Sequence, residues 1–213
     1  MKYGAYLFDV DGYETTITPF LGKLSLNQFD ELKVYATQSA LTHPYIWLMM
    51  ENFGYQESDL GHEEDEWDTV EGRVRFWMMI VLAHSCQNIY GTTGHYPTHI
   101  RELLQPVENK EYIEKLLFGR PLSELLLQEE SVKSDLSPST VVPFWCKLAV
   151  GWLGPQDIDA FSKRLPDWKR ELGKLKTSDR QSYLRKEASF KTLVYLLSLA
   201  SHTKRGLLQA LVI

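Results

Sequence analysis

TVEGRVRFWMMIVLAHSCQNIY, residues 69–90, sets the expectation for the whole fold. Phe76 to Ala83 is an unbroken apolar run of eight residues. A membrane-spanning helix needs roughly 20 such residues, so this run reads as the buried middle of a helix in a soluble protein. Glu71 falls in the first turn, where the helix dipole favours acid, and Gly91 supplies a stop. The middle is apolar on every face, which places this helix at the centre of a core. Trp77, Met78, Ile80, Val81 and Leu82 should be nearly inaccessible to solvent.

Helical signals continue on both sides. Ser25 can cap a helix whose apolar positions Leu26, Phe29, Leu32 and Ala36 recur at spacings of three and four. Thr42 can cap a second, with Pro44 in its first turn and Gly54 beyond its end. Beyond residue 90, helices are predicted over about 98–105, 109–118 (stopped by Gly119), 121–130 and 140–153 (ended by Gly154-Pro155). A further helix over 156–164 should break at Pro166, and a long last one should open at Ser178 or Asp179 and run through Ala200. Strand-like runs are few: Tyr3–Val10, Thr140–Phe144 and Ala210–Ile213, the tail from Gly206 reading as a helix or an edge strand. The predicted class is therefore all-α: an irregular single-domain helical bundle over 1–213, with room for a short N-terminal strand. Ser131–Ser139, polar and proline-containing, is where a subdomain boundary would fall.

The chain has 213 residues, 44% of them hydrophobic and 24% charged, as in an ordinary globular protein. Cys86 and Cys146 form no disulfide framework, and no basic-then-apolar leader opens the chain, so a cytoplasmic location is expected. The net charge of −5 is unevenly spread. Residues 1–106 hold 15 acids and 6 bases, and residues 107–213 hold 13 acids and 17 bases. Residues 57–71 carry eight carboxylates and no Lys or Arg. Residues 163–186 carry nine bases (Lys163, Arg164, Lys169, Arg170, Lys174, Lys176, Arg180, Arg185 and Lys186) against Asp167, Glu171 and Asp179. These poles are expected to meet, within one chain or between two, or to serve an outside partner. Trp168 and Tyr183 interleave with the bases in the manner of a single-strand nucleic-acid groove, but the net negative charge argues against that partner.

Three sets of residues are candidates for chemistry. His84, Cys86, His95 and His99 supply four nitrogen or sulfur donors around the Gly91–Gly94 turn, a composition suited to zinc without the spacing of a common zinc module. The 57–71 carboxylates can hold a hard cation or form a solvated lead-in to the 69–90 helix. The third set is Asp9 and Asp11. Tyr6-Leu7-Phe8-Asp9-Val10-Asp11-Gly12 resembles the catalytic opening of the haloacid dehalogenase-like phosphotransferases. The resemblance implies an aspartyl-phosphate on Asp9, proton shuttling by Asp11, bound magnesium and a parallel doubly wound sheet. It covers about ten residues and has Tyr13 where the family usually has Thr. Without the resemblance, Asp9 or Asp11 simply caps a first helix.

No phosphate-binding glycine loop, nucleophile elbow or H-E-x-x-H motif occurs. The expectation is a non-enzymatic cytoplasmic protein-interaction domain, binding a protein partner or itself, without membrane insertion and with no cofactor. The alternative is a magnesium-dependent phosphohydrolase using Asp9 and Asp11.

Overall fold

Tyr3, Ala5 and Leu7 alternate along the first strand and enter one hydrophobic core. In the computed structural model, which describes residues 2–16, 34, 38, 89–93, 95–121 and 148–212, that strand is β1 (Lys2–Phe8). It leads into α1 (Val10–Thr16). There follow β2 (Ile89–Thr93), α2 (Tyr96–Leu104), α3 (Lys110–Phe118), β3 (Arg120–Pro121) and β4 (Leu148–Leu153). Two helices of 24 residues each, α4 (Pro155–Ser178) and α5 (Arg180–Thr203), precede β5 (Gly206–Val212). Helices dominate the described residues, as the periodicity predicts. No helix among them is long and apolar enough to cross a membrane.

The N-terminal strand expected from the sequence has company: β2-β1-β5-β4-β3 form one five-stranded sheet. β1 and β2 run antiparallel, with Gly4 opposite Gly91 and Tyr6 opposite Ile89. Four boundaries differ from the sequence reading. Ile89 and Tyr90 belong to β2, not to the end of the 69–90 helix. Their β-branched and aromatic side chains suit a strand, and β1 supplies the partner. Leu148–Leu153 is a strand where a helix over 140–153 was expected. A short apolar run fits a buried strand or a buried helix equally well. Pro121 belongs to β3, and the rest of the helix expected over 121–130 lies outside the described residues. The tail lies in the middle of the sheet, not at its edge.

Pro166 does not break α4. An interior proline costs about 3 kcal/mol of helix propensity. The burial of Phe161, Trp168 and Leu172 on either side outweighs it. Asn109 caps α3 by accepting a hydrogen bond from the Tyr112 N–H at 2.8 Å, and Gly119 ends that helix at φ 72°. This close needs glycine twice over. A Cβ at Gly119 would lie 2.5 Å from the Trp152 nitrogen, and one at Gly151 would run into the Phe118 carbonyl. Asp179 alone joins the two long helices. Its N–H closes α4 on the Leu175 carbonyl, and its carboxylate accepts from the Ser182 N–H at 3.0 Å to open α5.

Two compact units are distinguishable. One comprises Met1–Leu7, Ile89–Arg120 and Val150–Leu211. Its core unites β1, α2, α3, α4 and α5 through buried residues such as Leu7, Ile100, Leu117, Trp168 and Leu197. The other comprises Phe8–Asn88, Pro121–Ala149 and Val212–Ile213. In it, Phe8 and Tyr13 are buried with their rings 5.7 Å apart. Apart from Val34 and Gln38, which are helical, the helices expected after Ser25 and Thr42 and over 69–88, the acidic stretch 57–71, the loop expected over 131–139 and the strand-like run 140–144 lie outside the described residues.

Candidate functional site

Asp9 caps α1. Its Oδ1 accepts a hydrogen bond from the Gly12 N–H at 3.0 Å, and its carbonyl accepts from the Tyr13 N–H. A Cβ at Gly12 would lie 2.9 Å from the Asp9 carboxylate, so glycine is what lets the cap close. Asp11 is exposed in the first helical turn, and its carbonyl accepts from the Thr15 hydroxyl at 2.6 Å. The two aspartates thus sit at a strand-to-helix turn, but the strand that feeds them pairs antiparallel with β2.

Of the four candidate metal donors, His84 and Cys86 lie outside the described residues. His95 and His99 do come together at the start of α2, ring centroids 5.8 Å apart. The His99 Nδ1 is hydrogen-bonded to the buried Ser189 hydroxyl on α5 at 3.1 Å. Desolvation holds the His99 imidazole below its usual pKa, although Glu102 pulls the other way. Among the described residues no group of three or more His, Cys, Asp or Glu side chains could hold a metal ion.

The basic stretch divides in two along α4. At its N-terminal half the charges are structural. Asp157 is buried and takes Lys115 at 2.8 Å, Arg120 at 2.9 Å and the Gly154 N–H at 3.2 Å. Burial alone would raise its pKa, but hydrogen bonds from Lys115, Arg120 and Gly154 hold it below the usual carboxylate range. Glu108 receives three donors on one oxygen: Arg164 Nε at 2.9 Å, Arg164 Nη2 at 2.7 Å and Trp168 Nε1 at 2.7 Å. Trp168 is therefore a core residue with its one polar atom satisfied, not an exposed stacking platform.

The C-terminal half is different. There α4 and α5 together line a groove of about 670 Å³. Leu165 and Leu172 of α4 and Phe190 and Val194 of α5 supply its apolar lining. Lys169, Lys176 and Lys191 stand at its margins. Glu187 is the one acid in the lining, and it is engaged: Lys191 lies at 3.1 Å. Hydrogen bonds from Lys191 and then Tyr183 outweigh desolvation and keep Glu187 below the usual carboxylate pKa. Lys169 and Lys176 form no ion pair among the described residues. The groove's chemistry is therefore apolar with a positive rim.

The sequence reading found these lysines but not the groove they border. Splitting the helix at Pro166 hid a shared spacing. Leu165, Lys169, Leu172 and Lys176 recur at steps of four, three and four, and so do Tyr183, Glu187, Phe190 and Val194. Both rows therefore keep to one face of their helix, and both face the groove.

No protein-family model, no curated protein and no solved structure matches this chain.

Proposed function

We propose that the protein is a non-enzymatic interaction domain that docks an acidic amphipathic helix of a partner protein in the groove between α4 and α5. The observation that carries this reading is the pairing of an apolar lining with exposed lysines in the same groove. A helix laid into such a groove buries one apolar stripe and leaves its flanking carboxylates beside the lysines. The antiparallel pairing of β1 with β2 favours this reading over a phosphohydrolase of the resembled type, whose catalytic strand lies in a parallel sheet.

Hydrogen exchange on the full chain tests it. An acidic amphipathic 18-residue peptide should slow exchange in segments 165–176 and 183–194 and leave 96–104 unchanged. Protection confined to other segments would remove the groove from the interface. Magnesium-dependent hydrolysis of p-nitrophenyl phosphate, lost in Asp9→Asn, would replace this reading with the enzymatic one.

A further inference from the structure

Between Lys169 and Lys176, on the same row of α4, stands Gly173. It is exposed, and a Cβ built there meets nothing within 4 Å. Glycine costs about 1 kcal/mol relative to alanine inside a helix. Neither a close backbone contact nor a positive φ requires it here. What it does is leave open space, a notch, at a position that itself lines the groove. A cation stands on each side of that notch. At the rise of an α-helix, Lys169 is about 6 Å before Gly173 and Lys176 about 4.5 Å after it.

Resting on the docking reading above, we infer that the notch selects the partner. It takes one bulky apolar side chain flanked, one helical turn to either side, by carboxylates. The pattern is acid, two or three residues, a bulky apolar residue, two or three residues, acid. The chemistry follows from the row itself. A helix lying alongside α4 repeats its facing side chains every three or four residues, the same step that separates Lys169, Gly173 and Lys176. Its large residue fills the volume that Gly173 leaves, and its two carboxylates reach the two ammonium groups. The lysine stems add apolar surface around the inserted side chain. A fatty-acid anion also combines an apolar body with negative charge, but it carries a single carboxylate. The lysine backbone positions are about 10 Å apart along the row. Two carboxylates on one helix match that pair better.

The experiment uses the full chain and three synthetic helical peptides in an alanine-rich host. The reference peptide carries Glu, Trp and Glu at positions 4, 8 and 11. The second replaces Trp with Ala, and the third replaces both Glu with Lys. The protein variants are Gly173→Leu, which fills the notch, and Lys169→Glu with Lys176→Glu, which inverts the rim. Position 173 is exposed, so the leucine variant keeps the fold, and its melting temperature checks this. Titration should show the reference peptide weakened tenfold or more by Gly173→Leu and by its own Trp→Ala change. The two changes together should be no worse than either alone, because each abolishes the same contact. The inverted rim should prefer the Lys peptide over the reference. If the reference peptide binds in the groove but Gly173→Leu or Trp→Ala leaves its affinity unchanged, the notch does not select and the docking reading stands. If no peptide binds, whether or not dodecanoate does, both readings fail.

Discussion

The two halves of α4 use the same residue types for opposite ends. Before Pro166, Asp157 and Arg164 are tied into partners from α3, the α2–α3 connection and the start of β3. Beyond it, Lys169 and Lys176 stand in solvent beside an apolar groove, and Lys174 pairs with Glu171 on its own helix, at 2.6 Å. Charge that is desolvated and multiply bonded specifies how the helix seats. Charge that is left hydrated contributes little to folding and is free for a partner. A count of Lys and Arg along the sequence cannot separate these roles, because the separation depends on which acids the fold brings near.

The comparison breaks most visibly at Trp168. Its ring is fully buried, with Tyr112 packed edge-on at 6.4 Å, and its indole N–H ends on Glu108. Trp168→Ala should cost about 3–5 kcal/mol, as for a large aromatic removed from a core. Urea denaturation measures it. A loss under about 1 kcal/mol would mean that the α4 face turned to α3 is as loosely seated as the face that borders the groove.

Asp157 comes next. Asp157→Asn keeps the shape but removes the charge that Lys115 and Arg120 share. These two bases are 38% and 37% exposed, so solvent recovers part of the loss. About 2 kcal/mol is expected for the broken charge-assisted bonds. The pH dependence gives a sharper readout. The folded-state pKa of Asp157 lies below its ordinary value, so the unfolded chain takes up the proton first. The stabilisation is present above the ordinary carboxylate pKa and is lost as pH falls through the lowered one. The stability gap between wild type and Asp157→Asn should therefore close on acidification. A gap constant down to about pH 2 would show that the charge is not what the site uses.

These two residues also show what was legible in advance. Local rules read well: Gly119 after α3 and Asp179, one of the two residues expected to open α5, act through neighbouring backbone groups. The strands read poorly. Leu148–Leu153 and Ile89–Thr93 owe their form to partners far away in sequence, which no local periodicity records. Trp168 looked like part of a binding strip because its spacing from the lysines was visible. The Glu108 carboxylate that claims its N–H lies 60 residues away and was not. The groove escaped notice because Pro166 reads as a break unless the burial on both its sides is known.

On the C-terminal half the expected change is a gain. Gly173→Ala adds a methyl group into open space and removes the backbone freedom of glycine. It should stabilise the chain by about 0.5–1 kcal/mol, seen as a higher urea midpoint at unchanged slope. A destabilised Gly173→Ala would mean that position 173 is confined after all and has no notch to offer.

The smallest effect is expected where the sequence shows the most charge. Lys169→Glu combined with Lys176→Glu moves the net charge by four units, yet neither lysine has an ion-pair partner among the described residues. The Lys176 charge does help to hold the Glu187 carboxylate ionised, so a glutamate there adds a like charge beside it. At the surface, repulsion of that kind is weak and is screened by salt. The double variant should therefore unfold within about 0.5 kcal/mol of wild type, and the remaining difference should vanish at about 1 M salt. A loss of about 2 kcal/mol that persists in high salt would place these lysines in the folding machinery, as Lys115 and Arg120 already are. The two halves of α4 would then be alike, and the rim would no longer be free for a partner.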